Sequence, residues 1–209
     1  MMGFSDIKNY CKNLLRKNKY GLTEDECAAA IQTTCNFFGI PVPVLIRDLT
    51  NDKSGQTLIR PKNPNTYYDD VLEYNLKELK ALGVSDFVGF SAIITHECAH
   101  RVFQNRTLPG PDSGRWEHEL LADFFMGVRA GLQQMDITPI RNALACTPGS
   151  GTHPLGRFRD EYIGYGHLEG RRHLMNNLLP NTIEEYFQLF LAYRKNHLQD
   201  LHEAEMTIY

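Results

Sequence analysis

The stretch FVGFSAIITHECAHRVF, residues 87–103, decides how this chain is read. Its apolar residues recur with the period of an α-helix, and Ser85 or Asp86 after Gly83 offers a cap, so a helix is predicted over about 85–105. Among the eleven residues before His96 the only charge is Asp86, which marks a helix running into the core. The stretch then turns polar at His96-Glu97-Cys98-Ala99-His100. Unpaired buried charge is costly, so these groups need partners. Residues four apart on a helix share a face, and both imidazoles can reach one ion. Glu97, next to the first histidine, can reach a water held there without binding the ion itself. The alternatives are a solvated helix face, or core histidines bonded to the backbone. Chance alone yields HExxH about once in fifty chains of this composition, so the motif needs company.

That company lies downstream. A loop rich in Pro, Gly and Asp (107–114) leads to a second helix predicted over about 115–133. Glu119 and Asp123 share a face there, and Leu120, Leu121, Ala122, Phe124, Phe125 and Met126 around them are apolar, which fits poorly with two surface charges. Two His and one Glu are a common catalytic zinc set with an open fourth position. Glu119 is the candidate third ligand. Asp123 is placed to accept the other ring N–H of a ligand histidine. Glu117 and His118 compete as ligands but point to other sides of the helix.

Upstream, a short helix is expected over 5–18, and Thr23-Glu-Asp-Glu26 reads as a capping box for a helix to Phe38, stopped by Gly39. PVPVLIRDL (41–49) and QTLIR (56–60) read as strands around an Asn-Asp-Lys-Ser-Gly turn. DVLEYNL (70–76) is a third extended segment, although Leu72, Leu76 and Leu79 also keep a helical spacing. Pro139, Pro148, Gly149 and Gly151 mark breaks, and the segment from Asn181 to about Glu205 is amphipathic. Helices, three strands and then helices only imply an α+β fold with a small sheet on one side and a mostly helical C-terminal half. A single domain is expected over 1–209, with N-terminal helices to about 40, the sheet and the candidate metal core over 41–165, and C-terminal helices beyond.

The 209 residues carry a net charge of −3, which argues against nonspecific duplex binding. No stretch approaches 18 consecutive apolar residues and no secretory signal opens the chain, so a soluble, cytoplasmic protein without transmembrane segments is expected. Cys11, Cys27, Cys35, Cys98 and Cys146 are scattered without CxxC spacing, as suits reduced thiols. His167, His173, His197 and His202 have no metal-like companions, and the basic flank of His173 reads as a solvated face.

HECAH, followed nineteen residues later by ELLADFFMGVRAG, resembles the gluzincin metallopeptidases, whose pattern is HExxH then ExxAD. The nearest groups are the CAAX prenyl proteases with the HtpX-type membrane proteases, and the bacterial neutral zinc metallopeptidases. Thr152-His153-Pro154, with Arg159 six residues after the histidine, resembles a segment of the first group. The resemblance spans about residues 70–165. It implies a zincin-like domain with one zinc per chain held by His96, His100 and Glu119, with Glu97 as general base. Asp123 would support a ligand histidine. His153 would stabilise the oxyanion, or else be a turn residue before a helix starting at Pro154. Arg159 would order a carboxylate or the loop around His153. A protein or peptide substrate would add as a strand to the sheet edge, for which DVLEYNL is the candidate, with an interior strand or a helix start as alternatives. The absence of membrane spans departs from the CAAX group and suggests a soluble, minimal version.

Beside a peptidase, the same site suits a zinc hydrolase of another amide or ester, or a secreted effector acting on another protein. A non-catalytic binding or regulatory protein with a structural zinc is the reading of a different class. Glu97 argues against it, because a structural site needs no base. DNA-repair metalloproteases are disfavoured by the absence of a basic tail or zinc ribbon.

Overall fold

A computed structural model describes residues 21–51, 58–61, 70–109, 115–176 and 181–207, and the helix expected over 5–18 lies outside them. Helix α1 (Glu24–Phe38) starts as its sequence predicts. The Thr23 hydroxyl accepts the Glu26 N–H at 3.1 Å, the Glu26 carboxylate accepts the Thr23 N–H at 2.7 Å, and Gly39 ends the helix at φ 64°. Strands β1 (Leu45–Asp48), β2 (Leu58–Pro61) and β3 (Asp70–Tyr74) form one sheet in the order β1-β3-β2, with β1 parallel and β2 antiparallel to β3. Residues 41–44 stay outside β1, and Pro41 and Pro43 have no N–H to give a ladder.

The order corrects one expectation. DVLEYNL is the central strand, not an edge to which a substrate could add. Val71, Leu72, Glu73 and Tyr74 are all buried, as residues of a strand covered on both faces are. Its helical spacing is also real, one step later. The Asn75 side chain accepts the N–H groups of Lys77 and Glu78 and starts α2 (Leu76–Ala81).

Helix α3 (Phe87–Phe103) begins at Asp86, whose carboxylate accepts the Gly89 N–H at 2.8 Å. It is followed by α4 (Arg115–Leu132), α5 (Thr138–Ala145), α6 (Gly156–Met175), α7 (Ile183–Lys195) and α8 (Leu198–Met206). Pro139 opens α5 rather than breaking the chain, since a first-turn residue needs no N–H. The amphipathic C-terminal segment is two helices, parted at Asn196 and His197. The architecture is α+β: a small mixed sheet against a mostly helical body. Among the described residues no helix is long and apolar enough to cross a membrane. Cys27, Cys35 and Cys98 are buried and Cys146 is exposed, all as free thiols. His173 is buried, with Nδ1 2.9 Å from the Glu169 carbonyl oxygen, so it does not lie on a solvated face.

The contact that sets the rest is α4 against α6. A Cβ at Gly127 would stand 2.1 Å from the Ile163 carbonyl oxygen, and one at Gly131 2.3 Å from that of His167. From the other side, Cβ atoms at Gly166 and Gly170 would stand 2.1 Å and 2.2 Å from the carbonyl oxygens of Phe124 and Val128. Each helix thus presents two glycines one turn apart, and the backbones touch. Gly164 on the same α6 differs, because its Cβ would meet only the Arg141 guanidinium, the movable end of a side chain.

Gly127→Ala and Gly170→Ala should therefore each cost about 1–3 kcal/mol in urea unfolding, as overpacking against backbone does. Gly164→Ala should be neutral or stabilising, since alanine favours a helix over glycine by about 1 kcal/mol. Equal losses at all three positions would mean that the helices do not meet as described.

Candidate metal centre

Helix α3 brings His96 and His100 to one face a turn apart, and α4 crosses them with Glu119. The two Nε2 atoms lie 3.0 Å apart. Glu119 places Oε2 3.4 Å from His96 Nε2 and Oε1 3.3 Å from His100 Nε2. Ligand atoms about 2.0–2.1 Å from a tetrahedral zinc stand about 3.3 Å from one another, and the trio comes near this with each imidazole facing a different oxygen of Glu119, so that it could hold a metal ion. It is the group of His, Cys, Asp or Glu among the described residues that could hold a metal ion.

Behind the trio lies Asp123, fully buried. Its Oδ1 is 3.0 Å from His96 Nδ1, an ion-pair distance without ideal hydrogen-bond alignment. Arg159 of α6 grips the same carboxylate with both ends of its guanidinium: Nε donates to Oδ2 at 2.8 Å and Nη2 to Oδ1 at 2.9 Å. Of the two roles open to Arg159 in the sequence, ordering a carboxylate is the one observed. The chain of contacts Arg159–Asp123–His96 fixes the imidazole so that Nε2 faces Glu119.

The charges follow from this packing. Burial disfavours a charged His96, but Asp123 and Glu119 outweigh it and raise the imidazole to about 10 in the metal-free chain. Burial likewise opposes an ionised Glu119, yet His100 and His96 hold its carboxyl far below the usual range. Burial also works against an ionised Asp123, and Arg159 overcomes it. Both carboxylates are thus acceptors at neutral pH, as ligand and support must be.

Glu97 and His153 line the same cleft as His96, Glu119 and Arg159, a space of about 400 Å³. His153 is exposed on the loop before α6, with Nε2 3.9 Å from Glu119 Oε2 and Nδ1 2.9 Å from the Thr152 hydroxyl. The loop is pinned by Trp116, whose indole N–H donates to the Ser150 carbonyl at 2.7 Å, and Ser150 Oγ accepts the His153 N–H at 3.0 Å. The helix after it starts at Gly156, not Pro154. Every residue singled out for the site therefore meets in one place. The competitors do not: Glu117 is buried in an ion pair with Arg194 of α7, and His118 lies outside the trio.

What sequence reasoning missed is the rest of the cleft lining. Helix α2 contributes Glu78, Leu79 and Ala81 to the cleft, with Leu82 after it, and Leu144 of α5 adds a further apolar surface. Nothing in the spacing of these residues ties them to the HECAH motif; only the path of the chain at Asn75 does.

No protein-family model, curated protein or solved structure matches this chain. What can be said of the site is carried by its own residues.

Two measurements test the division between ligand and support. Glu119→Ala should abolish tight zinc binding in a competition titration, whereas Asp123→Asn should weaken it about 10–100-fold, as loss of a supporting carboxylate does. A larger loss in the Asp123 variant would reverse the assignment. The raised His96 gives a second test. Its stabilising effect in the metal-free chain is complete below 6.5 and is lost as pH rises towards about 10. Metal-free protein should therefore lose thermal stability from pH 6.5 upwards, and saturating zinc, which replaces the proton, should remove that fall.

Proposed function

We propose that this chain is a zinc-dependent endopeptidase with a zincin-like domain. One observation carries the reading: two imidazoles and a carboxylate converge within 3.4 Å of one another, and two of the three, His96 and Glu119, line an open cleft that also holds Glu97. A structural zinc site normally fills its fourth position with protein, whereas here His96 and Glu119 border open space beside Glu97.

His96, His100 and Glu119 would hold the zinc, which would supply a Lewis acid to acidify water and polarise a carbonyl. Glu97 takes the proton from the attacking water as the new C–O bond forms at the scissile carbon. It then delivers that proton to the amine nitrogen as the C–N bond breaks. His153 faces the developing charge on the carbonyl oxygen. In the tautomer whose Nδ1 accepts from the Thr152 hydroxyl 2.9 Å away, Nε2 carries the proton and can donate it as a hydrogen bond into the cleft. Asp123 and Arg159 touch no substrate and hold His96 in place. A non-peptide amide or ester would undergo the same steps; the peptide bond is preferred because HECAH, ELLAD and THP occur together in the order seen in the metallopeptidases that this chain resembles.

Purified protein should carry about one zinc per chain. Glu97→Gln should keep that zinc and the fold, while cleavage of an unbiased peptide library falls about 10²–10⁴-fold. His153→Ala should lose less, also with zinc retained. An unchanged rate in a zinc-loaded Glu97→Gln protein would remove the general base and the mechanism with it.

A further inference from the structure

The cleft beside the candidate metal centre has a largely apolar lining, with Leu79, Leu82, Ile93, Met126 and Leu144, and it includes one carboxylate that the site does not use. Glu78 sits on the exposed side of α2, and its backbone N–H is taken by Asn75. Its side chain has no hydrogen bond or ion pair among the described residues, in contrast to the other charges of the cleft. Glu119 faces two imidazoles, and Arg159 faces Asp123. A substrate entering the cleft thus meets an aliphatic surface together with a negative charge that no described residue pairs. Lysine and arginine side chains match this pairing, with methylenes to cover the apolar wall and a cation for its polar end. An apolar side chain would desolvate Glu78 without replacing its hydrogen bonds, and an acidic one would face a like charge.

We propose that Glu78 is a specificity-determining residue, selecting substrates with a lysine or arginine side chain next to the scissile bond; this rests on the zinc peptidase reading above. The test uses binding rather than turnover. Three peptide hydroxamates that differ only in the side chain beside the zinc-binding group (lysyl, leucyl or glutamyl) are titrated calorimetrically into zinc-loaded protein. The lysyl compound should bind most tightly, by about tenfold or more over the glutamyl one. Glu78→Gln should shrink that ratio towards one, and Glu78→Lys should invert it. Melting curves establish that the variants are folded, as expected for substitutions at an exposed helical position. Equal affinity of the wild-type chain for all three compounds, or an undiminished ratio in Glu78→Gln, overturns the role of Glu78 and leaves the metal centre standing. Failure of zinc-loaded protein to bind any of them shows instead that the trio does not offer an open zinc in this cleft, and both readings fall.

Discussion

The Asp123 carboxylate, buried completely between Arg159 and His96, is the interaction on which the site depends. A carboxylate without solvent is expensive unless its charge is met and its oxygens are bonded. Arg159 does both with a two-pronged grip, and the guanidinium can do so only because α6 lies directly against α4. That approach needs the glycines at 127, 131, 166 and 170, where any Cβ would run into opposing backbone. The orientation of a histidine on α3 is thus decided by residues with no side chain on two other helices.

Other buried arginines fix the same helix from further sides. Arg129 of α4 is almost wholly buried and donates to the Ser91 carbonyl at 3.2 Å, the Thr95 hydroxyl at 2.9 Å and the Thr33 hydroxyl at 2.9 Å, joining α4 to α3 and α1. Near the start of α4, Glu117 pairs with Arg194 of α7, which also donates to the Pro109 carbonyl at 2.6 Å. Helix α4 is therefore tied before Glu119, behind it at Asp123, and again at Arg129. A helix fixed at these points cannot rotate by the fraction of a turn that would take Glu119 away from the imidazoles. Removing one partner of such a pair leaves a buried charge uncompensated, which typically costs about 3–5 kcal/mol.

The legible part of this protein was its local part. His96, His100, Glu119 and Asp123 stand on helix faces at i, i+4 spacing, and that geometry follows from the periodicity of the helix alone. The caps at Thr23 and Asp86 are equally local. Sheet order was not legible, because pairing joins residues far apart in sequence. DVLEYNL, buried on both faces, shows no alternation that would separate a central strand from an edge. Helix α6 was anticipated only as a helix starting at Pro154 and as part of a helical C-terminal half, and its contact with α4 was not legible for a related reason. Gly166 and Gly170 are unfavourable in a helix by propensity, and only the neighbouring backbone of α4 shows what they are for. Glu78 escaped notice because nothing in its own segment refers to the metal centre.

Burial grades the site from back to front, and the gradient has a physical logic. Side-chain exposure is 0% at Asp123, 9% at His96, 17% at Glu119, 28% at His100 and 57% at His153. The deep end consists of groups whose charges are already paired and whose positions must not change. Low effective dielectric there strengthens the Asp123–Arg159 attraction and makes the pair stiff. The shallow end consists of groups that an incoming ligand must reach. On the proposed reading, substrate enters from the side of His153, which lines the cleft. Flexibility at that end costs little, because His153 is held by loop contacts through Ser150 and Thr152 rather than by core packing. The same division explains why Asp123 could not trade places with Glu119. A carboxylate already spoken for by a guanidinium, and sealed from solvent behind His96, is placed to orient a ligand but has no open side on which to be one.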